Sequence, residues 1–288
     1  MKNKRALVII GILLFAAATA GLSLFLSVHA LTVTHYSISA PGLTAPIRIV
    51  QLTDLHNSRF GEDNIRLVEK VAAQEPDLIL MTGDMLNQDE ERTDIAESVI
   101  RSLARTAPVY VSYGNHEKAH EELFGVDLRH IFTEAGAAVL DFDWLDCTVN
   151  SQTIRLGGVY GYCLPAGLLN ESYTEVREAS FLSEFQDTDA VTVLMCHMPV
   201  SWIKYGSLDS WDVDVILAGH AHGGQVRFPL IGGLYAPDQG WFPGKVSGLY
   251  RSEDGTKTMV LSRGLGNANR LPRFNNIPEI LVLDLLPG

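Results

Sequence analysis

From residue 31 onward the chain alternates short apolar runs with amphipathic stretches. "LTVTHYSIS" (31–39) places apolar and polar residues at alternate positions and predicts a strand. "IRIVQLTDLH" (47–56) predicts a second strand, one that finishes in polar residues. "NIRLVEKVAAQ" (64–74) predicts a helix with Ile65, Val68, Val71 and Ala72 on one face, ended by Pro76. "DLILMTGD" (77–84) predicts the next strand. In "TDIAESVIRSLA" (93–104), Thr93 is placed to cap a helix whose Ile95, Val99 and Leu103 recur at i, i+4 and i+8. "PVYVSYGNHE" (108–117) predicts a third strand of this kind, and residues 118–135 a third helix.

This βαβα alternation predicts a layered α/β fold with right-handed crossovers. Between 138 and 163 the pattern changes to that of a hairpin turning at Asn150-Ser151. A helix over 174–185 and strands over 190–197 ("AVTVLMCH") and 213–222 ("VDVILAGHAH") follow. The tail, rich in Gly and Pro, holds short strands near 247–251, 257–262 and 280–285. With no repeat, low-complexity tract or linker, residues 31–288 read as one catalytic domain.

Residues 1–30 read differently. From Ala6 to Val28 there are 23 residues without a charge, which as a helix at about 1.5 Å per residue spans a hydrocarbon core of about 30 Å. Lys2, Lys4 and Arg5 precede the segment, and no Lys or Arg follows until Arg48. The positive-inside rule then keeps the N-terminus cytoplasmic and the rest of the chain outside. "VHA" at 28–30 would also serve as a signal-peptide cleavage site, which makes secretion the alternative. A signal h-region runs about 7–15 residues, so the length favours a retained single-pass anchor.

The whole chain has a formal net charge of −12. Beyond residue 30 the balance is 19 basic against 34 acidic side chains, a formal −15. Such a surface repels phosphate backbones, so no nucleic-acid partner is expected. Cys147, Cys163 and Cys196 are an odd number without CxxC spacing and read as buried apolar thiols. A Cys147–Cys163 bridge outside the membrane is the conceivable exception.

The chemistry lies at the strand ends. Five apolar runs finish in metal-binding residue types: "IVQLTDLH", "LILMTGD", "VYVSYGNH", "VTVLMCH" and "VILAGHAH". Loops at the C-terminal ends of strands in open α/β sheets converge, and sites assemble there. The ends supply Asp54, His56, Asp84, Asn115, His116, His197, His220 and His222. Of nine histidines, all but His29, His35 and His130 fall at or just beyond these ends, His120 at the margin. Carboxylates and neutral imidazoles suit borderline divalent ions such as Mn, Fe, Co, Ni or Zn. In "DLH" and "HAH", at the ends of their strands, residues i and i+2 face the same way and present two ligands to one centre. Eight groups are too many for one tetrahedral ion and suit two. Two ions about 3.5–4 Å apart need a bridging carboxylate, for which the isolated Asp84 is the natural candidate.

In this order, "DLH", "GD", "GNHE", "CH" and "GHAH" resemble the motifs of the calcineurin-like metallophosphoesterases, across most of residues 47–225. "GGQVRFP", "SRGLGNANRLPRF" and "PEI" are similar to a membrane-associated bacterial branch, one with homologues of UDP-2,3-diacylglucosamine pyrophosphatase and cell-envelope phosphodiesterases. The resemblance implies a four-layer αββα sandwich, two mixed β-sheets flanked by helices. It implies that Asp54, His56, Asp84 and His222 hold one ion and Asp84, Asn115, His197 and His220 the other. His116 would face the substrate. Glu117 stands where the family more often has Asp; its longer reach puts in question whether it orients His116.

The implied reaction is hydrolysis of a phosphoester, with a diester favoured. Water activated between the ions attacks phosphorus while His116 assists the leaving group. The alternatives are a lipid-linked pyrophosphatase of the UDP-diacylglucosamine type, facing the cytoplasm, and a non-catalytic metal-binding scaffold. A nuclease is disfavoured by the charge. Arg263, Arg270 and Arg273 are candidates for substrate contact because a guanidinium fork matches phosphate geometry. "LYAPDQGWFPG" (234–244) is a candidate apolar wall for a lipid-like or cell-wall-derived substrate, or else a packing loop.

Overall fold

The structure, a computed structural model, describes residues 2–165, 168, 177–267 and 272–288. It opens with one long helix, α1 (Lys2–His29), whose apolar residues face outward. Two six-stranded mixed sheets follow. The first has the order β1-β16-β2-β3-β4-β5, formed by Thr32–Ala40, Glu279–Pro287, Ile47–Leu52, Leu78–Thr82, Val109–Ser112 and Ala137–Val139. The second has the order β14-β15-β9-β8-β7-β6, formed by Gly248–Arg251, Thr258–Leu261, Val215–Ala218, Val191–Cys196, Gln152–Val159 and Asp143–Val149. Within the first sheet β2 to β5 run parallel and β16 pairs antiparallel to β2.

The central strands are apolar on both faces, and period 2 sorts their side chains between layers. On β2 and β3, Ile49, Leu78 and Leu80 enter the layer between the sheets, while Val50, Leu52, Ile79 and Met81 pack under helices. On β8 and β9, Val193, Met195, Val215 and Leu217 meet the first sheet, while Leu194 and Ile216 face outward to the second helical layer. Three apolar layers between four of secondary structure make the expected αββα sandwich. Burial of each such Leu or Ile stabilises by about 1.5–3 kcal/mol.

The helices α2 (Ile65–Ala72), α3 (Asp94–Leu103), α4 (Asn115–Phe124) and α5 (Leu128–Glu134) follow the first sheet's strands. α6 (Arg177–Phe185), α7 (Val200–Lys204) and α8 (Ser207–Ser210) belong to the second half. Three local expectations are corrected. On α2 the buried residues are Leu67 and Val71, whereas Ile65 is exposed, because the helix starts only at Ile65 after a short 3-10 turn (Glu62–Asn64). The helix expected over 118–135 is two helices. Gly125 ends the first with φ 65°, and Asp127 caps the second by accepting from the His130 amide at 2.9 Å. Residues 137–139 join the first sheet, so the hairpin through Asn150-Ser151 begins only at Asp143.

The cysteines are free. Cys147 packs toward the layer between the sheets and Cys163 into the layer on the other face of the second sheet, so the Cys147–Cys163 bridge does not form. Cys163 Sγ lies instead 3.8 Å from Cys196 Sγ.

Candidate metal centre

The strand ends do converge, but the residues that matter lie in turns just beyond them. Asp54, His56, Asp84, His220 and His222 all have positive φ, between 46° and 66°. Left-handed backbone at non-glycine residues costs about 1–3 kcal/mol each and persists where the surroundings over-determine it. This corrects the alternation argument for "DLH" and "HAH": β2 stops at Leu52 and β9 at Ala218, and left-handed turns aim the side chains. His220 and His222 accordingly point into two different clusters.

Asp54, His56 and His222 form one cluster and Asp84, His197 and His220 another; within each, one atom per residue lies within 4.8 Å of the others. Asp84 Oδ2 sits between them, 3.0 Å from His197 Nε2 and 3.6 Å from His56 Nε2. Backbone contacts fix the carboxylates. The His220 amide donates to both oxygens of Asp54 at 3.0 and 3.2 Å, and the His116 amide to Asp84 Oδ1 at 2.9 Å. Gly114 and Gly219 allow this closeness. A Cβ at Gly114 would lie 2.2 Å from Asp84 Oδ1, and one at Gly219 2.6 Å from Asp54 Oδ2.

Hydrogen-bond partners assign the ring nitrogens. His56 Nδ1 faces Asn87 Oδ1 at 3.1 Å and His197 Nδ1 faces the Thr82 carbonyl at 2.8 Å. Each Nδ1 is therefore the donor, which turns Nε2 toward the centre as the atom that ligates when unprotonated. His220 is reversed: Nε2 contacts Asp238 Oδ2 at 3.0 Å and Nδ1 is left for the cluster. Among the described residues, His56 Nε2, His197 Nε2 and Asn115 Oδ1 are buried without a hydrogen-bond partner. Although His197 Nε2 is close to Asp84 Oδ2, the contact lacks hydrogen-bond alignment. Such orphaned acceptors are costly unless a cation takes them up. The donor set fits divalent ions.

His116 is different. Its Nδ1 accepts from the Gln88 amide at 3.1 Å, so the neutral ring carries its proton on Nε2. That Nε2–H lies 3.9 Å from Asp84 Oδ2. A nitrogen holding a proton there is a donor and cannot ligate through the same atom. His116 also lines a cleft of about 270 Å³ together with Asp84, Gln88, Asp89, Asn115, His220, His222 and Pro237.

Electrostatics divide the clusters. Burial pushes His56 down to about 3 and His222 well below the usual histidine range, the latter helped by His56 and Arg273. Burial likewise raises Asp54. For His197 burial opposes protonation, but the Asp84 carboxylate wins and raises it to about 10. Without an ion, a proton on His197 occupies the direction an ion would take.

The Glu117 carboxylate does not touch His116. It is fully buried and accepts from the backbone amides of Asp84, Met85 and Gly114 at 2.7–2.8 Å. Burial and the Asp84 charge raise its pKa to about 7. It clamps the turn after β3 to the turn after β4, and orientation of His116 falls to the Gln88 amide.

Arg263 and Arg273 do not line the cleft. Arg263 forms an ion pair with Glu279 at 2.9 Å and donates to Thr32 Oγ1. Arg273 is fully buried, donates to the Gly266 carbonyl and places Nη2 3.4 Å from His222 Nδ1. Arg270 lies outside the described residues. Asn87, Gln88 and Asp238, which set three imidazoles, carry no sequence signal of their own. Each lies in a loop whose position depends on the finished fold.

Residues 47–224 match the model of the calcineurin-like phosphoesterase family. An uncharacterized metallophosphoesterase of Campylobacter jejuni is 28% identical over 253 residues, covering 86% of this chain and 61% of the relative. Phosphodiesterase YaeI of Escherichia coli is 32% identical over 254 residues, covering 84% of this chain and 83% of the relative. The chain thus spans less than two thirds of the Campylobacter protein's length. A solved structure, the phosphopantetheinyl hydrolase PptH of Mycobacterium tuberculosis, aligns with a TM-score of 0.47 at 16% identity, covering 85% of this chain and 98% of that one. The family match extends over the stretch that holds all eight strand-end residues, and this chain belongs to the calcineurin-like phosphoesterases.

Proposed function

We propose that this protein is a two-ion phosphodiesterase, held in the membrane by α1 with its catalytic domain outside the cytoplasm. The observation that carries the reading is the opposite orientation of the imidazoles. His56 and His197 turn a buried, unpartnered Nε2 toward the centre, while His116 turns an N–H the same way from the cleft wall.

Asp54, His56, Asp84 and His222 would hold one divalent ion, and Asp84, Asn115, His197 and His220 the other, with Asp84 shared. Two such ions supply Lewis acidity toward phosphoryl oxygens and lower the pKa of water to about 7. Asn115 contributes a neutral oxygen, which leaves more of the ions' positive charge available to the substrate. The buried clamp of Glu117 keeps the Asp84 and Asn115 turns in register before substrate arrives. His116 donates a hydrogen bond from Nε2–H to the departing oxygen at the open face of the cleft, and one such donor aimed at developing charge contributes about 10²–10³-fold. Its Nδ1 stays bonded to the Gln88 amide throughout, so the ring does not have to turn.

The length of the apolar segment, 23 residues, and the basic residues before it support anchoring with an external domain. The diester preference draws on the name of the Escherichia coli relative. The test is hydrolysis of bis-p-nitrophenyl phosphate against p-nitrophenyl phosphate, by the full chain in detergent with Mn²⁺. Faster turnover of the diester, abolished by a chelator and restored by Mn²⁺, is expected. Turnover of the monoester alone would replace the diester reading, and hydrolysis only of a pyrophosphate-linked lipid would favour the pyrophosphatase.

A further inference from the structure

Beyond the centre, the chain from Val226 to Phe242 forms two very short hairpins. β10 (Arg227–Phe228) pairs with β11 (Gly232–Gly233), and β12 (Tyr235–Ala236) with β13 (Gly240–Trp241). Their apolar side chains face solvent. Leu230 is fully exposed, Ile231 is 65% exposed, and Trp241 and Phe242 are 69% and 61% exposed. Phe228 and Tyr235 are also exposed, and the rings of Tyr235 and Trp241 meet at 5.3 Å. The Leu234 amide donates to the Gly224 and Val226 carbonyls, and the Phe242 amide to the Leu234 carbonyl, so both hairpins form one surface. A soluble face rarely spends this many large apolar groups in adjacent positions.

The hairpins lie beside the last turns of α1. Ser27 Oγ accepts from the Asn276 amide at 3.1 Å, and Ser23 Oγ accepts from the Asn275 amide at 3.0 Å. Asn275 Nδ2 in turn donates to the Arg227 carbonyl at 3.2 Å, and the Arg227 amide donates to the Phe274 carbonyl at 2.9 Å. Ser23 is five residues inside the end of the uncharged segment at Val28, a depth of about 7.5 Å along a helix. A loop bonded to Ser23 therefore stands at the outer boundary of the apolar layer that α1 occupies. Leu230 follows Arg227 by three residues, within about 11 Å even if extended.

We infer that the Phe228–Phe242 hairpins dock on the same lipid bilayer that α1 enters, burying Leu230, Ile231, Trp241 and Phe242 at the headgroup–acyl boundary. The occupant is the lipid surface because hydrogen bonds through Ser23, Asn275 and Arg227 tie the hairpins to the apolar helix, and because Trp and Tyr favour that depth. Pro237, in the turn between β12 and β13, lines the catalytic cleft. Docking would hold the cleft mouth at the membrane surface rather than let it swing on a tether. The inference rests on α1 remaining in the bilayer, and not on the reaction.

The experiment uses the full chain reconstituted into phosphatidylcholine–phosphatidylglycerol vesicles, with lipids brominated near the headgroup end of the acyl chains. Of the four tryptophans, Trp202 and Trp211 are buried, Trp144 is part-buried under Arg155, and Trp241 is exposed. Brominated vesicles are expected to quench emission, and Trp241→Phe to abolish the quenching. The double substitution Leu230→Asp with Ile231→Asp should also remove it while the chain still floats with the vesicles after an alkaline wash. Equal emission in plain and brominated vesicles, with flotation intact, would overturn docking and leave the anchor standing. Loss of flotation in the wild type would instead remove the anchor and the inference with it. A Leu230→Cys chain that forms disulfide-linked dimers in the vesicles would assign the face to a second copy and overturn the inference too.

Discussion

The turns around Asp84 and the hairpins around Trp241 solve opposite problems with neighbouring pieces of chain. In the first region every metal-binding candidate is at least mostly buried, and the turns are in left-handed backbone held by amide-to-carboxylate bonds. In the second, strands are two residues long and large apolar side chains face outward. Burial and strain are sustained where charged groups must hold positions before an ion arrives. Apolar exposure is sustained where the contact partner lies outside the protein. Residues 219–242 pass from one regime to the other, and Asp238 belongs to both: its turn lies on the rim, yet its carboxylate holds His220.

The largest break comes from Asp84, among the described residues the carboxylate grouped both with His56 and with His197 and His220. Asp84→Ala should lower bound Mn²⁺ from two per chain toward none, measured by atomic absorption after dialysis. Turnover should fall about 10³-fold or more, since several kcal/mol of charge stabilisation go with the ions. Retention of both ions would mean that Asp84 is not the shared group. His116→Gln comes next. With its proton on Nε2 and its lone pair on the Gln88 amide, His116 has no atom free for an ion. The variant should keep two ions per chain and lose about 10²–10³-fold in turnover, the cost of one donor to developing charge. Loss of an ion with the ring would return His116 to the cluster of His56 and Asp84, to which its distances also admit it.

Much of the deep region was legible in the sequence because two periodicities coincide there. Strands buried on both faces read as continuous apolar runs, and each run breaks where polar ligands begin. The eight strand-end residues and a layered α/β fold followed from that, while the two mixed sheets came from the resemblance to the phosphoesterase motifs. What the sequence could not reveal depends on long-range closure. His56 and His197 are tautomer-locked by Asn87 and by the carbonyl of Thr82, the latter 115 residues away from His197. Nothing in "LNQD" or "LMTG" marks those roles. The guanidinium of Arg273 matched phosphate chemistry in isolation, but the fold buries it behind His222, where it adds to burial and His56 in lowering that ring's pKa. Glu117 adjoins His116 in sequence, whereas its carboxylate ties the turn after β3 to its own turn after β4. The rim was hardest to read: with two-residue strands there is no period to detect, so a packing loop and an apolar wall looked alike.

The smallest effects test where the two regimes meet, and Asp238 and Trp241 stand only three residues apart. The hydrogen bond from His220 holds Asp238 below the usual carboxylate range, as expected for an anion accepting from Nε2–H. Removing such an outer partner of a ligating imidazole typically costs about 10–100-fold in metal affinity. Asp238→Ala should therefore weaken the binding of one Mn²⁺ by that factor in titration calorimetry, leaving the other unchanged. Trp241→Ala should leave both affinities and the turnover of a water-soluble diester as they are, because its ring touches Tyr235 and solvent but no group of the centre. If both substitutions weakened the ion alike, the β12–β13 turn would act as one rigid support for His220, and the boundary between buried centre and exposed rim would have to be moved outward to include Trp241.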